Sequence, residues 1–444
     1  MFLALVCSAL AAAAPGARAA ASVVPAQSDA ALLLDGSQGA VGLRAFLDAV
    51  AQRAPALGAG PRIAALVGPD LLGQPLAWGL AFSGPRALVL WRGSLALTAP
   101  VRDAKAARAA LQSWLEERGS SRSTRVAPQR GPAASARGTS RAGMVAPVAG
   151  SLRLLTASGP NAAALVAALS QVGARKAGTR ALASEQTMRP ALARLTGPAA
   201  LILRGDEPVR AAALALEGTP QGLTARGLVL ASSPLLESDP PGAGACEGAS
   251  LLCVRAALGA GGRSVLARAV RAWLTLLLAP GQIDAPDRIA QSAALVAERV
   301  VLRSDGADAR LLAGDGEAAW ALRLLGITEP PPAPAAAEVQ GPRSLCVRAE
   351  ATAAWFATPC ATSAPVGAHA AGGGDGLDAR LDLAALGAVI AKVTPIDAIR
   401  GGAPAAIYAA RLLVGNLLRT SGPLHLTGKP HASGAEVELS WPLH

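Results

Sequence analysis

The stretch Ser250-Leu-Leu-Cys-Val-Arg-Ala256 returns almost unchanged as Ser344-Leu-Cys-Val-Arg-Ala349. The apolar pattern of each copy predicts a strand that runs into a helix, and each copy has a second cysteine nearby. Working outward from these two copies, we expect a chain that is built from duplicated strand–helix units.

The C-terminal strand indicates how such units are layered. Val437 and Leu439 alternate there with Glu436, Glu438 and Ser440. Alternation of this kind leaves one sheet face in water, which is typical of antiparallel sheets. The sequence therefore predicts an α+β fold with two related lobes, each a mostly antiparallel sheet with helices packed on one face.

Composition shifts divide the chain further. Residues 232–249 and 329–342 are rich in proline and small residues, as linkers often are, and the remaining length exceeds what one hydrophobic core usually organises. The predicted organisation is a signal peptide at 1–19, an N-terminal lobe at 20–235, a linker at 236–249, and a C-terminal lobe at 250–444 with an internal proline-rich link at 329–342.

The first residues resemble a secretory leader. An apolar run from Phe2 to Ala14 is followed by a Pro-Gly break and by Ala17-Arg18-Ala19, a small-x-small cleavage signal. No basic residue precedes the apolar run, which is a departure from the usual pattern. We expect cleavage near Ala19/Ala20 and export to the periplasm or cell envelope. No later segment has 18 uncharged apolar residues, so no transmembrane helix is predicted and the exported chain is expected to be soluble.

Four cysteines follow the leader: Cys246, Cys253, Cys346 and Cys360. An even number in an exported chain favours disulfides, and four cysteines allow three pairings. Proximity in sequence favours Cys246–Cys253 and Cys346–Cys360. The spacings differ from the short C-x-x-C pairs of structural zinc sites, so zinc is the weaker interpretation.

Local signals predict particular elements in the first 170 residues. Two apolar runs, Pro75–Phe82 and Ala87–Thr98, predict a β-hairpin with its turn between them. Asp103 and Asn161 each precede an apolar helical pattern, which predicts that they are helix N-caps.

Charge suggests a partner more readily than a substrate. The net charge is +11, carried almost entirely by arginine, while aromatic residues make up only 3% of the chain. Few aromatic residues leave little surface for stacking bases, so a nucleic-acid partner is not predicted. An anionic envelope partner is one candidate, docked near an arginine cluster, and an apolar ligand between sheet and helices is another. The cluster comprises Arg118, Arg122, Arg125, Arg130, Arg137 and Arg141.

Two further stretches carry a family resemblance. Leu34-Asp35 enters a helix, a hairpin follows, and Val101-Arg-Asp103 precedes Ala106-Ala-Arg-Ala-Ala-Leu111; the chain closes with Leu426-Thr-Gly428 and Ala435–Leu443. This pattern resembles a broad group of uncharacterised bacterial exported proteins that share a domain of unknown function. The resemblance implies an α+β architecture outside the cytoplasm and supplies no catalytic residues.

No motif in the sequence predicts a cofactor, a metal site or a catalytic centre. The favoured interpretation is therefore a non-enzymatic binding or scaffolding protein of the envelope. The alternative is a hydrolase that uses a C-terminal histidine as its base, because serine needs an adjacent base to become nucleophilic. Its candidates are His369, His425, His431 and His444.

Overall fold

A computed structural model describes residues 16–55, 66–69, 75–81, 83–116, 141–172, 179–238, 252–265, 268, 299–304, 309–314, 335–339, 345–349, 353–358, 376–392 and 415–444. Within these ranges, the pairings that link the seven strands from Ala30 to Thr219, and those that link the nine strands from Leu252 to Pro442, are antiparallel, and helices accompany the strands, which confirms the α+β fold class. The chain divides into two compact units. Unit 1 contains Met1–Gly205 and Ala211–Leu228, and unit 2 contains Asp206–Arg210 and Val229–His444.

The strands run in chain order from β1 to β17. They are β1 Ala30–Asp35, β2 Pro85–Trp91, β3 Ser94–Pro100, β4 Arg141–Val148, β5 Ser151–Ser158, β6 Ala199–Arg204, β7 Val209–Thr219, β8 Gly222–Ala231, β9 Leu252–Ala257, β10 Arg299–Ser304, β11 Ala309–Gly314, β12 Ala335–Val339, β13 Leu345–Ala349, β14 Ala353–Thr358, β15 Leu377–Leu381, β16 Leu424–His431 and β17 Gly434–Pro442.

The α-helices with assigned bounds are α1 Gly16–Ala20, α2 Gly36–Arg53, α3 Ala104–Glu116, α4 Ala162–Ser170, α5 Arg189–Ala193 and α6 Leu383–Lys392. Helical residues also occur at 260–265 and 415–419. Within the described ranges, no helix has both the length and the apolar character needed to cross a bilayer.

In unit 1 the paired strands lie in the spatial order β4-β5-β3-β2-β1-β6-β7. β1 is therefore central although it comes first in sequence. The β2–β3 hairpin extends the sheet on one side of β1, and the β6–β7 hairpin extends it on the other. β8 follows β7 after a turn at Pro220 and Gln221.

In unit 2 the order is β12-β13-β14-β11-β10-β9-β15-β16-β17. The first strand of this unit, β9, again lies in the interior of the sheet. A hairpin, β10–β11, lies on one side of β9, and β15 followed by β16 and β17 lies on the other.

The sheet of unit 1 is covered on both faces at β5. Every residue of β5 from Arg153 to Ser158 is buried, and successive residues of a strand point to opposite faces. The alternation of the C-terminal strand therefore does not extend to β5, and the packing of helices on one face of each sheet stays a prediction. Helix α4 packs on β3, β4 and β5, and α1 packs on β1, β2 and β6.

Two arginines are buried within this unit. Arg153 is 1% exposed and Arg86 is 2% exposed. Arg153 donates from Nε to Thr98 Oγ1 at 2.8 Å and from Nη2 to the carbonyl of Pro85. Arg86 Nη2 donates to the Ala81 carbonyl at 2.9 Å. Burial lowers the pKa of Arg153 to about 10 and also lowers the pKa of Arg86, because a guanidinium loses solvation there.

The predicted first hairpin is displaced along the chain. Residues Pro75–Trp78 form a 3-10 helix, and the run expected as one strand, Ala87–Thr98, instead contains a complete hairpin. Its turn consists of Arg92 and Gly93, whose φ angles are 47° and 75°. Positive φ at both central residues matches the twist of a tight hairpin, and glycine adopts it without strain.

The two cap predictions have different outcomes. Asp103 is confirmed, since its Oδ1 accepts the backbone N–H groups of Lys105 and Ala106 at 2.9 and 3.0 Å. Asn161 stands at the predicted N-cap position of α4 but makes no side-chain cap bond. Its Nδ2 donates instead to the carbonyl of Arg92 at 2.9 Å, which ties α4 to the hairpin turn.

The repeated phrase does not mark equivalent positions. Its first copy is β9, which leads into helical residues 260–265, as predicted. Its second copy is β13, and the described residues that follow it are strand β14, which pairs with β13 in place of the expected helix.

Helix α1 overlaps the predicted leader cleavage site. Ala17, Ala20 and Ala21 have no exposed surface, and the Ala17 N–H donates to the Gly197 carbonyl at 3.1 Å. Residues 16–20 therefore pack as part of unit 1.

Candidate functional site

Of the four predicted disulfide cysteines, Cys246 and Cys360 lie outside the described residues. Cys253 lies in β9 and Cys346 lies in β13, with β10, β11 and β14 between these two strands. Four strand spacings of about 4.8 Å place their backbones about 19 Å apart, well beyond the Cα separation of about 7 Å that a disulfide can span. From this strand order we expect no Cys253–Cys346 bond, and the two remaining pairings stay open.

Five of the six clustered arginines, Arg118 to Arg137, also lie outside the described residues. Arg141 begins β4, and its Nη1 donates to the Trp114 carbonyl at 2.7 Å. Its guanidinium carbon lies 4.5 Å from the centroid of the Trp114 ring. Arg141 thus joins the end of α3 to β4 by a hydrogen bond and a cation–π contact.

Among the histidines, His369 lies outside the described residues, while His425 and His444 are exposed. His431 Nδ1 lies 2.9 Å from Ser433 Oγ and accepts the Ser433 N–H at 3.2 Å. Both Ser433 donors converge on one nitrogen in the β16–β17 turn, which is the geometry of a side chain that stabilises a turn. The same contact brings a serine hydroxyl within reach of an imidazole.

A groove in unit 1 is the clearest candidate site in the part of the chain that the structure describes. Its volume is about 970 Å³. The groove is lined by Ala26, Gln27, Asp29, Arg180, Ser184, Glu185, Gln186, Thr187 and Arg204. Most of these side chains are polar, and they come from three segments that are distant in sequence.

Backbone contacts hold the two walls of the groove together. The Ala26 N–H donates to the Arg180 carbonyl, and the Leu182 N–H donates to the Val24 carbonyl, both at 2.8 Å. Pro25 and Ala181 form an antiparallel bridge between these two bonds. The walls are therefore fixed by main-chain geometry rather than by side chains that could turn away.

The floor of the groove is an ion pair between Arg204 and Glu185. Arg204 Nη1 donates to Glu185 Oε1 at 2.9 Å, and Nη2 donates to Oε2, so the contact is bidentate. Nη2 also donates to the Ala26 carbonyl, and Thr187 Oγ1 donates to Glu185 Oε1 at 2.9 Å. The two charged side chains are 29% and 23% exposed, so their mutual orientation is held in a partly dry environment.

Two charged side chains stand on the rim. Asp29 Oδ2 accepts the Arg92 N–H at 2.5 Å, and its backbone N–H donates to the Leu90 carbonyl at 2.9 Å. Arg180 is exposed, and within the described ranges no residue accepts a hydrogen bond from its side chain. The site thus combines a neutralised floor with one carboxylate and one guanidinium that face solvent.

The sequence did not identify this groove. Glu185 and Arg204 sit 19 residues apart, and Ala26 lies 178 residues before Arg204. No periodicity or motif joins such segments, because only the pairing of β1 with β6 brings them together. Arg204 is the last residue of β6, and nothing in the sequence marks it as a site residue.

Comparison with known proteins adds no relative. No family model matches the chain, and neither curated proteins nor solved structures provide a match. Among the described residues, no group of three or more His, Cys, Asp or Glu side chains could hold a metal ion.

Proposed function

We propose that this protein is an exported, non-enzymatic binding protein of the bacterial envelope, and that its ligand occupies the groove of unit 1. The observation that carries the proposal is a fixed polar groove with a charge-compensated floor and two charged groups on the rim. A rigid polar site of this size suits recognition of a small polar ligand, because little side-chain ordering is needed on binding.

Export rests on the sequence alone. The apolar run, the Ala-Arg-Ala signal and the even number of later cysteines support it. We keep Cys246–Cys253 and Cys346–Cys360 as the proposed pairs. The proposed ligand differs from the apolar one that the composition suggested, because the groove is lined by ionic and hydroxyl groups.

We also propose that the two units are related by duplication. The order β4-β5-β3-β2-β1-β6-β7 in unit 1 corresponds strand for strand to β13-β14-β11-β10-β9-β15-β16 in unit 2. The order in unit 2 continues with β12 at one edge and with β17 at the other. Seven strands in the same spatial order, each unit centred on its own first strand, support a common origin.

The binding proposal is tested by blocking the groove. Gln186 is exposed on the groove lining and makes no described side-chain bond, so Gln186→Trp fills space without removing a contact. The control is Gln221→Trp, at the exposed β7–β8 turn. The melting temperature of each protein is measured with the low-mass fraction of a bacterial envelope extract.

The wild-type protein and the Gln221→Trp protein should gain a few degrees in Tm, because ligand binding stabilises the folded state by mass action. Gln186→Trp should gain nothing. An equal gain in all three proteins, or none in the wild type, contradicts the proposal.

A hydrolase is the second candidate, and the 2.9 Å contact between His431 Nδ1 and Ser433 Oγ is what supports it. In a hydrolase the imidazole would accept the serine proton during attack. A fluorophosphonate probe should then label the wild-type protein and leave Ser433→Ala unlabelled. A wild-type protein that takes up no probe removes this candidate.

A further inference from the structure

We infer that the groove selects a small zwitterionic ligand, whose carboxylate is bound by Arg180 and whose ammonium is bound by Asp29. This inference rests on the proposed binding function and adds the chemical class of the ligand.

The ion pair at the floor of the groove has no net charge that could balance a charge on the ligand. Glu185 receives two bonds from Arg204 and one from Thr187, so its lone pairs are largely committed. Arg204 is likewise committed to Glu185 and to the Ala26 carbonyl. The charges of a ligand must therefore be met by the rim.

Arg180 supplies the positive side of the rim. Its carbonyl accepts the Ala26 N–H at 2.8 Å, which fixes the backbone while the guanidinium extends into solvent. A guanidinium presents paired N–H groups whose spacing matches a carboxylate, and such bidentate contacts are stronger than neutral hydrogen bonds. A carboxylate is the group that this position fits.

Asp29 supplies the negative side. Its backbone N–H donates to Leu90, and its carbonyl accepts the Arg204 N–H at 2.8 Å, so the residue is held from both directions. The Arg92 N–H occupies Oδ2, which leaves Oδ1 for a donor from the ligand. An ammonium group provides that donor and also neutralises the carboxylate.

The rest of the lining fits the middle of such a ligand. Gln27, Ser184 and Gln186 add amide and hydroxyl groups to the lining of the groove. These groups can hydrogen-bond a peptide-like linkage without adding charge. A simple anion or a simple cation would leave one rim charge unmatched.

The test uses isothermal titration of the full chain with three probes: diglycine, N-acetyl-diglycine and diglycine amide. The second probe lacks the ammonium and the third lacks the carboxylate. Diglycine should bind about tenfold more tightly than either blocked probe, which corresponds to one charge-assisted hydrogen bond at each end.

Matched variants assign each end. Arg180→Gln should remove the preference for diglycine over its amide, and Asp29→Asn should remove the preference over the acetylated probe. Arg189→Gln and Asp206→Asn make the same charge changes at exposed positions outside the groove lining, and both should keep wild-type preferences.

The outcomes separate this inference from the function it rests on. Equal affinity for all three probes, or undetectable diglycine binding at about 10 mM, overturns the zwitterion inference. The proposed binding function survives the loss of the zwitterion inference if the extract raises the Tm of the wild type and Gln186→Trp abolishes that rise. If the extract also fails to raise the wild-type Tm, both proposals fall.

Discussion

Arg153 shows how a single charged residue is accommodated inside a sheet. Its guanidinium has lost nearly all contact with water, and its hydrogen bonds go to a hydroxyl and a carbonyl rather than to a carboxylate. Hydrogen bonds to neutral acceptors offset only part of the desolvation cost of a buried charge. The depressed pKa of Arg153, about 10, expresses that remaining cost.

This residue gives a pH prediction with a definite sign. The folded pKa, about 10, lies below the unfolded value, so as the pH rises from about 10 toward the unfolded pKa the unfolded state binds more protons. The contribution of Arg153 to stability therefore improves as pH rises through that window, and its cost is present at lower pH. The free energy of unfolding of the wild type, minus that of Arg153→Met, should increase between pH 8 and pH 11.

Urea unfolding at each pH measures this difference. Arg108→Met is the control, because Arg108 is exposed on α3 and its replacement should show no such trend. A difference between wild type and Arg153→Met that stays constant with pH would contradict the account.

Residue-scale prediction from sequence succeeded where the signal was local. Asp103 and the turn of α3 that it caps lie within three residues of each other, so the pattern contained the whole interaction. Arg153 and the groove residues depend on partners that are 19 to 178 residues away. No local pattern carries that information.

At the scale of elements, α2 approaches β7 closely through two glycines. A Cβ placed on Gly42 would lie 2.7 Å from the Gly218 carbonyl oxygen, and one placed on Gly218 would lie 2.8 Å from the Gly42 carbonyl oxygen. Neither contact can be relieved by rotating a side chain, because both oxygens belong to the backbone. The absence of Cβ atoms therefore sets the distance between helix and sheet.

Gly42→Ala should destabilise the protein by about 1–3 kcal/mol, although alanine is the better helix former. Gly415→Ala is a matched comparison in helical residues 415–419, where a Cβ meets nothing within 4 Å. That change should be neutral or stabilising by up to about 1 kcal/mol. Thermal unfolding of both variants checks the pair, and a stable Gly42→Ala protein would refute the close approach.

Element prediction failed in a consistent way. The apolar run Ala87–Thr98 predicts one strand, with the turn of the hairpin at Ser83-Gly-Pro-Arg86. Each copy of the repeated phrase predicts a strand that runs into a helix. In both cases the local sequence does not determine which strands pair with each other. The pairing is determined by the sheet as a whole.

At the scale of the whole molecule, the sheet of unit 2 restricts the disulfides. Three strands separate β9 from β13, so Cys253 is expected in a bond with Cys246 or Cys360 and never with Cys346. Peptide mapping of the exported protein without reduction, compared with a reduced sample, identifies the linked peptides. Recovery of a Cys253–Cys346 peptide would mean that the strand order is wrong.

The packed N-terminal helix gives a second prediction at this scale. A chain that begins at Ala20 would place its α-ammonium at a residue with no exposed surface and would lose the Ala17 bond to Gly197. Such a chain should be less stable than one that begins at Gly16 by about 2 kcal/mol. Urea unfolding measures this, and an N-acetylated chain from Ala20 separates the charge from the lost contact; equal stability of all three would contradict it.

The fold class could be predicted because alternation and helical periodicity recur along the chain. The spatial order of strands could not, since β1 and β9 each pair with strands that come much later in sequence. The groove could not be predicted for the same reason, because it exists only where the β1–β6 pairing brings its walls together.

The hydrogen bond from Arg204 to the Ala26 carbonyl joins residues that are 178 positions apart. It therefore connects the first and last segments of nearly the whole of unit 1. A ligand bound beside this hydrogen bond would have to dissociate, or stay bound to one segment alone, before the first and last segments of the unit could separate. Occupancy would then slow opening of the domain by the same factor by which it shifts the balance between folded and unfolded forms. In an environment that contains proteases, a filled groove would lengthen the lifetime of the protein.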